Sequence, residues 1–112
     1  MTYIHKIGDS IKWELRSLQS DGVTPVNWTG YQIEISAVNK VTNSELFKVS
    51  TNNGTSDSYI TVNELSIGKF NIIIKNTDNF KVGEYSVDVR YISPDGIKQS
   101  SKSFIIKIVN RL

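Results

Sequence analysis

His5 is the single imidazole of the sequence, cysteine is absent, and eleven Asp and Glu residues supply the carboxylates. That inventory excludes a multi-histidine metal site, a thiol nucleophile and a thiolate zinc site. A Ser-His-Asp arrangement would depend on a histidine in an N-terminal strand with no supporting motif around it, so an exposed His5 without a catalytic task is the better reading. Glu34, Glu84 and Asp88 could in principle pair as the carboxylates of a glycosidase. Each occupies the polar position of an alternating segment and so faces water, whereas an acid catalyst needs a desolvated pocket to lift its pKa. Residues 51–58 contain only Thr, Asn, Gly, Ser and Asp, and their oxygens match no known Ca²⁺ ligand spacing. No Gly-rich phosphate loop precedes a helix. The sequence therefore predicts no catalytic residue, no cofactor and no metal.

Binding is the remaining possibility. Trp13 shares a face with Ile11 and Leu15, which assigns it to a core. Trp28 lies in a loop before a strand. Packing is favoured for it, and with Tyr31 and Tyr59 it forms the candidate contact set for a saccharide, since aromatic rings stack on sugars as well as in cores. The last alternating run places Phe104, Ile106 and Ile108 on one side and Ile105 and Val109 on the other. A strand apolar on both faces asks for cover on both, so Ile105, Lys107 and Val109 are the candidate interface.

Thirteen basic residues against eleven acidic ones give a net charge of +2, with the two signs interleaved and no basic stripe. A pI near 8.9 is then weak support for nucleic acid, and none is expected as a partner. The start, Met1-Thr2-Tyr3-Ile4-His5-Lys6, lacks a charged region followed by an apolar run, so no cleaved signal is expected. No apolar stretch approaches the ~18 residues needed to cross a bilayer, and no membrane role is expected. The absence of cysteine favours assembly in a reducing cytoplasm, or a core sufficient by itself. The sequons at Asn27 and Asn53 carry weight only in a eukaryotic secretory pathway.

The elements that must position these residues are strands. Ala occurs once and Leu five times, while Ile, Val, Tyr and Phe dominate the apolar set; β-branched and aromatic residues suit a pleated, half-buried surface. Period-two alternation is clearest at Ile11, Trp13 and Leu15, then at Tyr31, Ile33, Ile35 and Ala37, at Phe70, Ile72 and Ile74, and at Tyr85, Val87, Val89 and Tyr91. Residues 3–7, 45–49 and 59–62 are weaker strands. Ser20-Asp21-Gly22 and Ser93-Pro94-Asp95-Gly96 are turns, the second with Pro presetting φ and Gly accepting a positive one. Residues 51–58 read as the most mobile loop, and residues 63–67 or 76–80 could make one helical turn. Gly83-Glu84-Tyr85 before an alternating strand matches a tyrosine corner. Together these predict one domain over residues 1–112, an all-β, immunoglobulin-like antiparallel sandwich of seven to eight strands.

The order of the motifs carries a resemblance. Gly8-Asp9-Ser10 opens the strand beginning at Ile11. Asp21-Gly22 and Pro25-Val26 follow, then Trp28-Thr29-Gly30-Tyr31 before the strand at Gln32. Gly83-Glu84-Tyr85-Ser86-Val87-Asp88-Val89-Arg90, the Pro-Asp-Gly turn and a β-branched closing strand complete the run. Over nearly the whole chain this resembles the immunoglobulin-like domains of phage virion proteins, in particular the N-terminal domain of baseplate upper proteins, with Trp28 where that family has Leu. The resemblance implies a non-enzymatic component of a phage tail, baseplate or fibre, assembled in the bacterial cytoplasm and located in the virion. Other phage structural proteins, or further copies of the chain, are the implied partners.

Overall fold

The computed structural model describes residues 2–100 and 103–110, so Met1, Ser101, Lys102, Arg111 and Leu112 of the expected domain lie outside the described residues. Nine strands occur among them: β1 (Thr2–Lys6), β2 (Ile11–Arg16), β3 (Gln32–Asn39), β4 (Glu45–Ser50), β5 (Ser58–Ile60), β6 (Lys69–Ile74), β7 (Gly83–Ile92), β8 (Lys98–Ser100) and β9 (Phe104–Val109), with one 3-10 turn, Leu65–Ile67, before β6. The larger sheet runs β1-β9-β7-β3-β4, with β8 also on β7, and the smaller runs β2-β6-β5. In immunoglobulin letters β2, β6 and β5 stand for B, E and D, and β3, β4, β7 and β9 for C, C′, F and G. The fold is an immunoglobulin-like β-sandwich. Two features refine the expected form: the three-residue strands raise the count to nine, and β1 runs parallel to β9 while every other pair is antiparallel.

Alternation produces the core. Ile33, Ile35 and Ala37 of β3, Val87 and Val89 of β7, and Ile106 and Ile108 of β9 meet Ile11, Phe70, Ile72 and Ile74 of the smaller sheet, all buried. The odd residues of β3 and β7 point inward because a strand turns successive side chains to opposite faces, and the register that pairs Ile35 with Val89 and Ala37 with Val87 keeps the two inner faces aligned. Thr77 is the polar exception. It is fully buried, donates its hydroxyl to Asp9 O at 2.7 Å and accepts Gly8 N–H at 2.9 Å. The β1–β2 turn is thereby pinned to the loop after β6.

Tyr85 is buried and its hydroxyl donates to Lys81 O at 2.9 Å, so the tyrosine corner is formed. It ties the segment that crosses between the sheets to the start of β7. Tyr85→Phe removes that hydrogen bond and leaves a carbonyl behind, an expected loss of about 1 kcal/mol in urea denaturation. An unchanged midpoint would mean the corner contributes nothing to stability.

The turn after Ser20 is organised by one carboxylate. Asp21 Oδ1 accepts the N–H of Val23 and of Thr24, both at 2.9 Å, and Oδ2 accepts the Thr24 hydroxyl. These bonds favour the charged form, led by the Thr24 hydroxyl and then the Thr24 and Val23 amides, and lower the pKa from 3.8 to about 2. The folded value lies below the unfolded one. The stabilising effect is therefore complete above the unfolded value and is lost as pH falls through the folded one. NMR titration is expected to place the Asp21 midpoint near 2 and, in Thr24→Val, to move it toward 3.8. A wild-type midpoint at 3.8 would show that the turn does not close in solution.

Candidate functional site

The sequence's two candidate surfaces are placed very differently. Trp28 is buried, its ring stacked on Tyr91 at 4.1 Å and edge-on to Tyr31 at 5.0 Å. Its Nε1 has no hydrogen-bond partner among the described residues. The structure thus brings Trp28 and Tyr31 together as packing at one end of the sandwich. Tyr59 sits apart in β5 under the ammonium of Lys75, 5.9 Å from its ring centroid. No shared aromatic platform arises from the three.

Ile105, Lys107 and Val109 do lie on the outer face of β9, with Lys107 exposed and the two apolar residues half-buried. Their strand, however, is paired on both sides, with β1 and with β7. Its backbone is spent, so it can offer a partner side chains only. The neighbours across the ladder are Thr2 and Ser86 beside Ile105, and Ile4 and Glu84 beside Lys107. The expectation of an apolar outer face is corrected here: the surface is mixed, not a contiguous apolar patch. The carboxylates that could in principle pair as in a glycosidase lie on one outward face, with Glu34 and Asp88 lining the same shallow polar depression. Glu84 and Asp88 are exposed on the outer face of the larger sheet, where Asp88 accepts from the Ser103 hydroxyl and Glu34 faces Arg90 across the β3–β7 ladder. Such rows of opposite charge describe a solvated sheet surface.

The structure opens a site elsewhere. In an immunoglobulin sandwich strand A lies beside B, but β1 has left that place to pair with β9, so β2 is a terminal strand of its sheet. Three consequences follow for residues 11–16. Ser17 N–H donates to Gly68 O at 2.8 Å; since bonded pairs alternate along an antiparallel ladder, Leu15, Trp13 and Ile11 turn their backbone groups to β6. Lys12, Glu14 and Arg16 turn theirs to the open edge, which no strand pairs among the described residues. The inner side chains beside that edge are left short of cover, and Trp13 and Leu15 are only half-buried.

They line a groove of about 330 Å³ with Tyr3, Phe104, Lys12 and Glu14. Its aromatic floor is continuous. Phe104 meets Tyr3 edge-on at 5.5 Å and Trp13 at 5.7 Å, and Trp13 also approaches Phe47 at 6.4 Å. Trp13, expected in the closed core, instead forms the core's open side. The arrangement offers unpaired backbone donors and acceptors beside apolar surface, the two requirements for strand addition. Sequence reasoning missed Tyr3, Lys12, Glu14 and Phe104 as a group. The signal within reach was local: β2 is an alternating strand without Pro, Gly or an inward charge, so the outward Lys12, Glu14 and Arg16 are all that guards its edge.

Neither protein-family models nor curated proteins give a match to the sequence. Among solved structures the chain is similar to murine CRIg, at 13% identity over 99% of this chain and 92% of that one, with a TM-score of 0.49. The fold assignment rests on strand order and the tyrosine corner, not on that likeness.

Proposed function

We propose that this chain is a non-enzymatic structural protein of a bacteriophage particle, a tail, baseplate or fibre component that works by assembling with copies of itself or docking other phage proteins. The observation that carries the assembly role is the unpaired edge of β2 running along an apolar groove. An uncovered edge of this kind invites another strand, and soluble monomers ordinarily block theirs.

The phage context is supported by the ordered motif run, whose residues occupy structurally demanding places. Gly8 and Asp9 form the turn pinned by Thr77. Gly30 takes φ +84° with Pro94 close by, so a side chain there is strained. Gly83 and Tyr85 build the corner. A saccharide-binding role has less support, because the indole on which it would depend is covered by Tyr91 and Tyr31.

The test is mass spectrometry of purified virions, followed by immunogold localisation. The protein is expected in the particles in a fixed copy number at one structural position. Its absence from purified particles would remove the proposal.

A further inference from the structure

The geometry points to a second copy of this chain as the occupant of the β2 edge: two β2 strands pair antiparallel across a twofold axis centred on Trp13, joining the three-stranded sheets into one of six. This deepens the self-assembly half of the function proposed above.

Charge selects both the occupant and the register. Opposed residues in an antiparallel pair point to the same face, so only registers that keep Trp13 and Leu15 inward are allowed. Centring the axis on Trp13 sets Lys12 opposite Glu14 twice, on the outer face, and Ile11 opposite Leu15 within. Shifting the axis one residue toward Arg16 would set Glu14 against itself and Lys12 against Arg16. Shifting it one residue the other way would set Lys12 against itself. Like charges directly opposite oppose pairing, so both shifts are disfavoured. A further shift, setting Glu14 against Arg16, runs off the end of β2 and pairs only three of its residues.

The backbone agrees with this choice. Lys12 and Glu14 are the residues whose N–H and C=O face the open edge, so they form the hydrogen-bonded pairs, while Trp13 meets its copy at the closer, non-bonded position. The twofold keeps both inner faces on one side. Each copy's Trp13 then covers the groove formed by the other's Tyr3, Trp13, Leu15 and Phe104.

The remaining edges lack this self-complementarity. β1 carries His5 and Lys6 and no acidic residue. The ladder of β4 is interrupted by a bulge at Ala37/Val38, and β5 and β8 have three residues each.

Sedimentation equilibrium over ~1 µM to 1 mM tests the proposal with the protein and three variants. The wild type is expected to rise from 12.6 kDa toward twice that mass. Glu14→Lys is expected to weaken dimerisation at least ~10-fold by opposing like charges. The double exchange Lys12→Glu/Glu14→Lys restores it to within ~3-fold, because residues 12 and 14 face each other in the proposed register. Glu14→Pro removes an edge-facing N–H without touching the β6 ladder, a change that terminal strands tolerate, and is expected to stay monomeric with an unchanged far-UV spectrum. Several results overturn the dimer: a wild-type monomer throughout, a dimer indifferent to Glu14→Pro and Glu14→Lys, a double exchange that fails to recover, or a monomer whose edge takes up an unrelated strand. A monomeric protein that is nonetheless present in virions would end this inference and leave the virion proposal intact.

Discussion

Gly68→Ala is expected to cost about 3 kcal/mol or more, while the same substitution at Gly22 costs about 1 kcal/mol. Both glycines have φ of +73°, so both lose the same conformational freedom when a Cβ is added. Their surroundings differ. Nothing lies within 4 Å of a Cβ at Gly22, whereas one at Gly68 would stand 2.5 Å from Ser17 O and 2.9 Å from Val26 O. Those oxygens are backbone and cannot swing aside. Gly68 O accepts Ser17 N–H at 2.8 Å, and Ser17 O accepts Val26 N–H at 3.0 Å. Relieving the clash therefore breaks hydrogen bonds worth about 1 kcal/mol each at the point where the chain leaves β2 and enters β6. Equilibrium denaturation of the two variants side by side isolates the packing contribution, since the conformational term cancels. Equal midpoints would show that the close approach is absent.

The sequence told of Gly68 only that it precedes a strand. Its importance is a long-range fact, set by residues 42 to 51 positions away in the chain. Thr77 is similar: a threonine in a polar loop gives no sign that it will be buried against Gly8 and Asp9. What the sequence showed plainly was local periodicity. The inward sets of β3 and β7 were legible because alternation is a property of the strand itself, and so were the tyrosine corner and the Pro-Asp-Gly turn, whose Gly96 N–H donates to Ser93 O.

Strand neighbours were less legible. Residues 2–6 hold Tyr3 and Ile4 side by side, with no face to indicate whether β1 belongs beside β2 or β9. Lys98, Gln99 and Ser100 are all exposed and form β8 through backbone pairing with β7, which leaves no hydrophobic trace. The loop read from composition at residues 51–58 ends one residue earlier, since Ser58 opens β5, and Asn53 Oδ1 anchors its start by accepting from Ser50 N and Ser50 Oγ. The groove beside β2 is harder still, because it exists through a strand being elsewhere. No residue type encodes a vacancy.

Phe70→Ala is expected to cost about 3–5 kcal/mol. Phe70 is 1% exposed and belongs to β6, the central strand of the smaller sheet, where it lies opposite Leu15. Its ring meets Tyr91 of the larger sheet edge-on at 6.2 Å. Tyr91 in turn carries the stacked Trp28, so the truncation leaves a void between the sheets at the foot of the aromatic cluster. A domain of this size has only about 5–15 kcal/mol in hand, and the melting temperature should fall by about 4 °C for each kcal/mol lost. Phe70→Leu retains most of the volume and is expected to lose less than half as much, which keeps the comparison measurable if the alanine variant does not fold.

Tyr91 supplies an independent readout. Burial raises its phenol above the usual 10, against a smaller lowering by the hydrogen bond with Ser17. A void that admits water weakens the desolvation and draws the pKa back toward 10. Ultraviolet titration should therefore show Tyr91 titrating above 10 in the wild type and moving back toward 10 in Phe70→Ala, less so in Phe70→Leu. A stability loss without any change in that titration would place the damage away from Tyr91, and the two sheets would then be held together at this end by something other than the Phe70–Tyr91 contact.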